Sequence, residues 1–180
     1  MKNGDFFLKR LMSSIYEQTY QDFEIVVTEK GKMAENTNYA MKQCRGELVK
    51  VMYMDDWFAH KNALKEIVQN FKKGDTWLIT GCNTNPHPYW TDDIETGNNH
   101  LGSPSVMTVR RKTMITFDET MSWLLDCDYY RRMYDLYGPP KILDTINVNI
   151  GVHDGQMTNI LTGEEKLLEH KYMQKKYEKD

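Results

Sequence analysis

Phe7, Leu8, Leu11, Met12 and Ile15 recur at helical spacing and predict an amphipathic helix over residues 5–18. The period then changes. Phe23 to Val27, in "DFEIVV", is a β-branched and aromatic run that predicts a short strand, ended by polar residues and Gly31. Residues 35–44 return to a helical pattern, with Gly46 beyond its end. "LVKVMYM" predicts the next strand, Ala63, Leu64, Ile67, Val68 and Phe71 another helix, and "TWLITG" another strand. After a long irregular stretch, "VMTVRR" reads as strand and "SWLLDCDYYRRMYDLYG" as helix, with Asp126 and Asp128 near its start. "INVNIGV" is a late strand ending at His153, and "GEEKLLEHKYMQKKY" a terminal helix. Alternating helices and strands predict α/β architecture with a largely parallel sheet, whose ligands sit outside the carboxyl ends of the strands.

Residues 83–105, "NTNPHPYWTDDIETGNNHLGSPS", have no period and are rich in Asn, Pro, Gly and rings. A loop this long in a compact domain is functional or disordered as a rule. His87, Tyr89, Trp90 and His100 argue against plain disorder. Rings beside amides suit a carbohydrate or a ring-bearing ligand; the alternative is a loop that packs its own aromatics.

The chain has 180 residues, 40% hydrophobic and 27% charged, which fits a single soluble domain over residues 1–180. A net charge of −3 advertises neither nucleic acid nor an anionic membrane. Cys44, Cys82 and Cys127 are widely spaced and form no C-x-x-C pair, so neither a zinc site nor a disulfide framework is indicated. No apolar run is long enough to span a bilayer and "MKNGDFFLKR" lacks the form of a signal peptide, so a cytoplasmic protein is expected, with room for work beside a membrane.

The strand "VMYM" runs directly into Asp55 and Asp56. Adjacent carboxylates repel unless water or a cation separates them. Two readings stand: a turn, which Asp forms readily, or a divalent metal at the strand's carboxyl end.

"FLKRLMSSIYEQTYQDFEIVV" resembles the opening helix and second strand of family 2 glycosyltransferases of the GT-A fold, with Ser14, Ile15, Gln18, Thr19, Tyr20, Asp22, Phe23, Glu24, Ile25 and Val27 in place. "NTNYAMKQCRGELVKVMYMDD" resembles the stretch that ends in that family's metal-binding Asp motif, and "FDETMSWLLDCDYYRRM" its later segment bearing the catalytic base. The resemblance implies a Rossmann-like, mixed but mostly parallel sheet flanked by helices, and inverting, metal-dependent transfer of a sugar from a nucleotide-sugar donor to a glycan or other hydroxyl acceptor. It implies Asp126 as catalytic base; Asp55, Asp56 and His153 as candidates to hold Mn²⁺ or Mg²⁺; and Glu29, Asp55, Ser103 and Ser105 as candidates to bind the nucleotide-sugar. This chain departs from the family at Tyr53, Lys30 and Leu125, where acidic residues are usual. No counterpart of the family's first strand precedes Phe6, so an N-terminally truncated version of the fold is expected, with a homodimer or swapped strand covering the open edge. These departures keep a second function open, a non-catalytic binding or assembly module on the same fold. A nucleotidyltransferase would need a basic, Gly-rich triphosphate loop, and none is found.

Overall fold

The computed structural model describes residues 4–178. Helix α1 (Gly4–Tyr16) buries Leu11 and Ile15 against Phe58 and Ala63, the face its spacing predicts. Helix α2 (Met33–Gln43) follows, then strand β1 (Leu48–Lys50), strand β2 (Trp57–Phe58), helix α3 (Ala63–Asn70) and strand β3 (Trp77–Cys82). After the long loop come β4 (Met107–Arg110), α4 (Leu125–Tyr137), β5 (Lys141–Asn149), a short α5 (Met157–Ile160) and α6 (Gly163–Tyr177). The five strands form one mixed sheet in the order β1-β4-β3-β5-β2, flanked by helices. Every residue of β3 is buried, as its place at the centre of the sheet requires.

The mixed α/β sheet is as expected, but its balance is not. Only β3 and β5 run parallel; the other three pairings are antiparallel. The reason is that β3 reaches β4 through the 83–105 loop without a crossover helix, and a chain that returns without crossing over pairs antiparallel. β1 and β2, joined by a turn, do not pair with each other; they lie at opposite edges, β1 on β4 and β2 antiparallel on β5.

The strand expected at Phe23–Val27 does not form; these residues have no regular secondary structure and join no ladder. A strand needs a partner, and the outer edge of β1 is unpaired among the described residues. Local bonds hold the segment instead. The Glu24 carboxylate accepts the backbone N–H groups of Arg45 and Gly46, and Asn36 bridges the Thr28 carbonyl and the Lys30 N–H. The Gln18-Thr19-Tyr20 motif also has a local structural cause. Gln18, almost fully buried, donates to the Ser14 and His60 carbonyls and accepts the Leu64 N–H, so it joins the end of α1 to the start of α3. β1 stops at Lys50, short of the Met54 that its apolar run suggests, and β5 ends at Asn149, four residues before His153. β5 also begins earlier than expected, at Lys141, where it aligns with Leu78 of β3.

Candidate functional site

Asp55 lies in the turn between β1 and β2, where the Asp56 N–H bonds the Tyr53 carbonyl. The two carboxylates have separate fates. Asp56 is 2% exposed, and its Oδ1 accepts the Gly151 N–H at 2.9 Å. Burial, with the Asp55 charge beside it, pushes Asp56 up to about 6, against the opposing bonds from Ser105 and Gly151. Asp55 turns the other way, with its Oδ2 3.1 Å from His153 Nε2. His153 Nδ1 accepts the Gly155 N–H, so Nε2 carries the proton toward Asp55. The imidazole also stacks on Phe7 of α1, centroids 4.8 Å apart.

Gly151 holds this corner closed. A Cβ there would come within 2.2 Å of the Asp55 carbonyl oxygen, and the Gly151 N–H is the one that bonds Asp56. Gly151→Ala is therefore expected to displace Asp55 and Asp56 together and to lower stability by about 1–3 kcal/mol. Chemical denaturation reads this, and a stability equal to wild type would show that the corner yields without strain.

Ser105 is fully buried. Its Oγ accepts the Tyr53 N–H at 2.9 Å and bonds Asp56, so its hydroxyl serves the turn. Ser103, before the short 3-10 turn Pro104–Val106, keeps a buried hydroxyl with no partner among the described residues. Its carbonyl accepts the Tyr130 hydroxyl at 3.0 Å. Glu29 is exposed, in the irregular segment before α2. Lys50 extends its ammonium to the Ser105 and Met107 carbonyls, and burial draws it down to about 7 while Asp56 opposes.

Asp126 stands in the first turn of α4, where its Oδ1 accepts the Cys127 N–H at 2.8 Å. Its Oδ2 accepts Asn99 Nδ2 at 2.9 Å. A helix start is expected to keep a carboxylate well ionised. Here burial wins and pushes Asp126 up to about 6, despite the hydrogen bonds from the Cys127 N–H and thiol and from Asn99. That value suits a base that must hold a proton briefly at neutral pH.

The 83–105 loop packs its own rings. Trp90 stacks on Tyr134 of α4 at 4.0 Å, edge-on to Trp77 of β3, and Tyr89 stacks on His100 at 4.5 Å. Tyr89 remains half exposed, and His87 pairs with Asp144. Three contributors to the site are not among the residues the sequence singles out: Lys50, Gly151 and Asn99. Of these, Asn99 left a local signal, because an Asn three residues before Gly102 suits a side-chain-locked turn.

A divalent ion needs oxygen or imidazole donors that converge. Asp55 and His153 are close enough to do so only once Nε2 gives up the proton it directs at Asp55; among the described residues no group of three or more His, Cys, Asp or Glu side chains converges. An ion held by two protein donors would need its remaining ligands from elsewhere, as Mg²⁺ does when it binds through one or two side chains.

No protein-family model matches the chain, and neither does any curated protein. Solved structures do match. The crystal structure of S. aureus TarS 1–349 superposes with a TM-score of 0.66 at 18% identity, over 82% of this chain and 57% of that one. The same protein in complex with UDP gives 0.63 at 18%, over 84% and 58%. Its complex with UDP-GlcNAc gives 0.66 at 17%, over 93% and 61%. The fold is thus shared with a protein that binds a nucleotide and a nucleotide-sugar, and the chain spans a little over half the length of those crystallised fragments.

Proposed function

We propose that this chain transfers a sugar from a UDP-type nucleotide-sugar to a hydroxyl of a glycan or similar acceptor, with inversion at the anomeric carbon. The observation that carries the reading is the pairing of two features in one fold shared with TarS. One is a converging Asp55–His153 donor pair. The other is a carboxyl group, Asp126, whose proton affinity burial has raised toward neutrality.

Asp126 takes the proton of the acceptor hydroxyl as that oxygen bonds the anomeric carbon. The bond from that carbon to the diphosphate oxygen breaks, and its electron pair leaves with the nucleoside diphosphate. Asp55 and His153 are the residues that would hold Mn²⁺ or Mg²⁺. Such an ion would supply positive charge against the departing diphosphate. Asp56 supports this arrangement from behind, through Gly151 and Ser105. Ser103 offers a free buried hydroxyl for the donor, and Glu29 an exposed carboxylate for the nucleotide base.

The test is thermal melting with Mn²⁺ alone, UDP alone and both. Ligands that bind only the folded state raise the melting temperature by mass action. A rise that needs both, and that Asp55→Ala abolishes, is the expected result. An unchanged melting temperature in every combination would overturn the donor site and favour a non-catalytic module.

A further inference from the structure

We infer that Asn99, from the long loop, is a positioning residue for Asp126: it aims a fixed amide donor at the carboxylate and sets the proton affinity of that group. The inference rests on reading Asp126 as the base, and it adds a residue outside the helix that carries the base.

The geometry leaves the Asn99 amide one orientation. Its Oδ1 accepts the backbone N–H groups of Leu101 and Gly102, at 2.8 and 3.0 Å. An amide oxygen can accept these bonds and an amide nitrogen cannot, so Nδ2 must be the atom on the other side. Nδ2 donates to the Gly102 carbonyl at 3.0 Å and to Asp126 Oδ2 at 2.9 Å. Gly102 adopts φ +106°, a backbone that side chains rarely take, and this closes the loop around the amide. The turn and the catalytic contact are therefore one unit. Opening the loop would withdraw the donor from Asp126.

The titratable groups that face Asp126 are Tyr53, from the segment after β1, and Cys127 and Tyr130, from α4. Burial and the Asp126 charge push all three upward, so each stays neutral while Asp126 titrates. The Cys127 backbone N–H is set by the helix itself. Asn99 is then the contact that can differ with the state of the loop.

Two substitutions separate positioning from simple packing. Asn99→Asp keeps the oxygen that accepts the Leu101 and Gly102 N–H groups, but turns an acceptor toward Asp126. Asn99→Ala removes the donor without adding charge. The readout is the Asp126 carboxyl carbon, followed by NMR across pH in the whole chain. It is joined by the pH profile of kcat/KM for sugar transfer from UDP-GlcNAc. The midpoint is expected to move up in both variants, by about one unit or more in Asn99→Asp and less in Asn99→Ala. The acid limb of the rate profile should move with it. A packing defect would instead lower the rate at every pH and leave the midpoint in place. If Asn99→Ala unfolds the loop, the Asp variant carries the test. An Asp126 titration unchanged in folded Asn99→Asp overturns the inference. Midpoints that move in a protein inactive in transfer would uphold the Asn99–Asp126 coupling and overturn the proposed reaction instead.

Discussion

Asp126→Asn is expected to lower kcat for sugar transfer by about 10²–10⁴-fold, the range a positioned general base supplies. The neutral amide has the same size and cannot take the acceptor's proton. In the wild type, Asp126 is ionised above about pH 6 and protonated below it. On the proposed mechanism Asp126 acts ionised, so kcat/KM should rise with pH through about 6 and then level. The same shift has a stability consequence of opposite sense. The folded value lies above the ordinary 3.8, because burial disfavours the charge. The native chain therefore holds this proton more tightly than the unfolded chain does. The stabilisation from this group is full at low pH and is lost as pH rises through about 6. A buried acid that is ionised at pH 7 although its surroundings disfavour the charge is characteristic of functional sites. Steady-state kinetics across pH, beside the melting temperature of each protein, tests the assignment. A variant within a few-fold of wild type would remove Asp126 from the chemistry.

What the sequence reveals divides along physical lines. Helices with a periodic apolar face are legible, since α1, α3 and α4 owe their form to local spacing. Strand pairing is not, because it depends on what lies alongside. Phe23–Val27 has the composition of a strand and no ladder to join, while the early part of β5 is strand because β3 runs beside it. The Asp55-Asp56 pair is legible as a place, at a turn before β2, but not as two roles. Successive residues point apart, so Asp56 meets Gly151, 95 positions away, while Asp55 meets His153. Asn99 is readable as a turn residue, yet its second bond depends on a helix 27 residues later. The terminal helix reads as a solvated charged face, and Met173 is its only buried residue. Even so, the Glu169 carboxylate accepts the N–H groups of Ser122, Trp123 and Leu124, just before α4. A charge pattern cannot announce a contact 45 or more residues away.

Asp128 stands two residues from Asp126 on the same helix, and its removal is expected to act on the fold. Asp128→Ala should destabilise the protein by about 3 kcal/mol, the scale of breaking a buried, hydrogen-bonded ion pair. The side chain is 0% exposed, so a charge there survives only through its partners. Arg132 Nη2 donates to Oδ2 at 2.6 Å and Arg132 Nε at 2.8 Å. Lys176 Nζ and the Tyr177 hydroxyl, both from the end of α6, reach Oδ1 at 2.7 Å. Lys176 and Tyr172 also bind Asp118 Oδ2, which extends the clamp to the segment before α4. With little apolar burial of its own, α6 depends on these bonds and on Glu169 to stay docked. Removing the Asp128 carboxylate leaves two cations facing each other and leaves the half-buried Tyr177 phenol only the Asp128 backbone carbonyl, at 3.4 Å. The expected result is a lower denaturation midpoint, together with early proteolytic cleavage within α6. Asp126→Asn should instead melt no lower than wild type at neutral pH, since it removes a charge that burial disfavours. If Asp128→Ala matched wild type in both assays, the Asp128 bonds would be dispensable and α6 would be held by Met173, Glu169 and the Asp118 contacts. If it also lost transfer while fully folded, the division of labour between the two acids of this turn would be wrong.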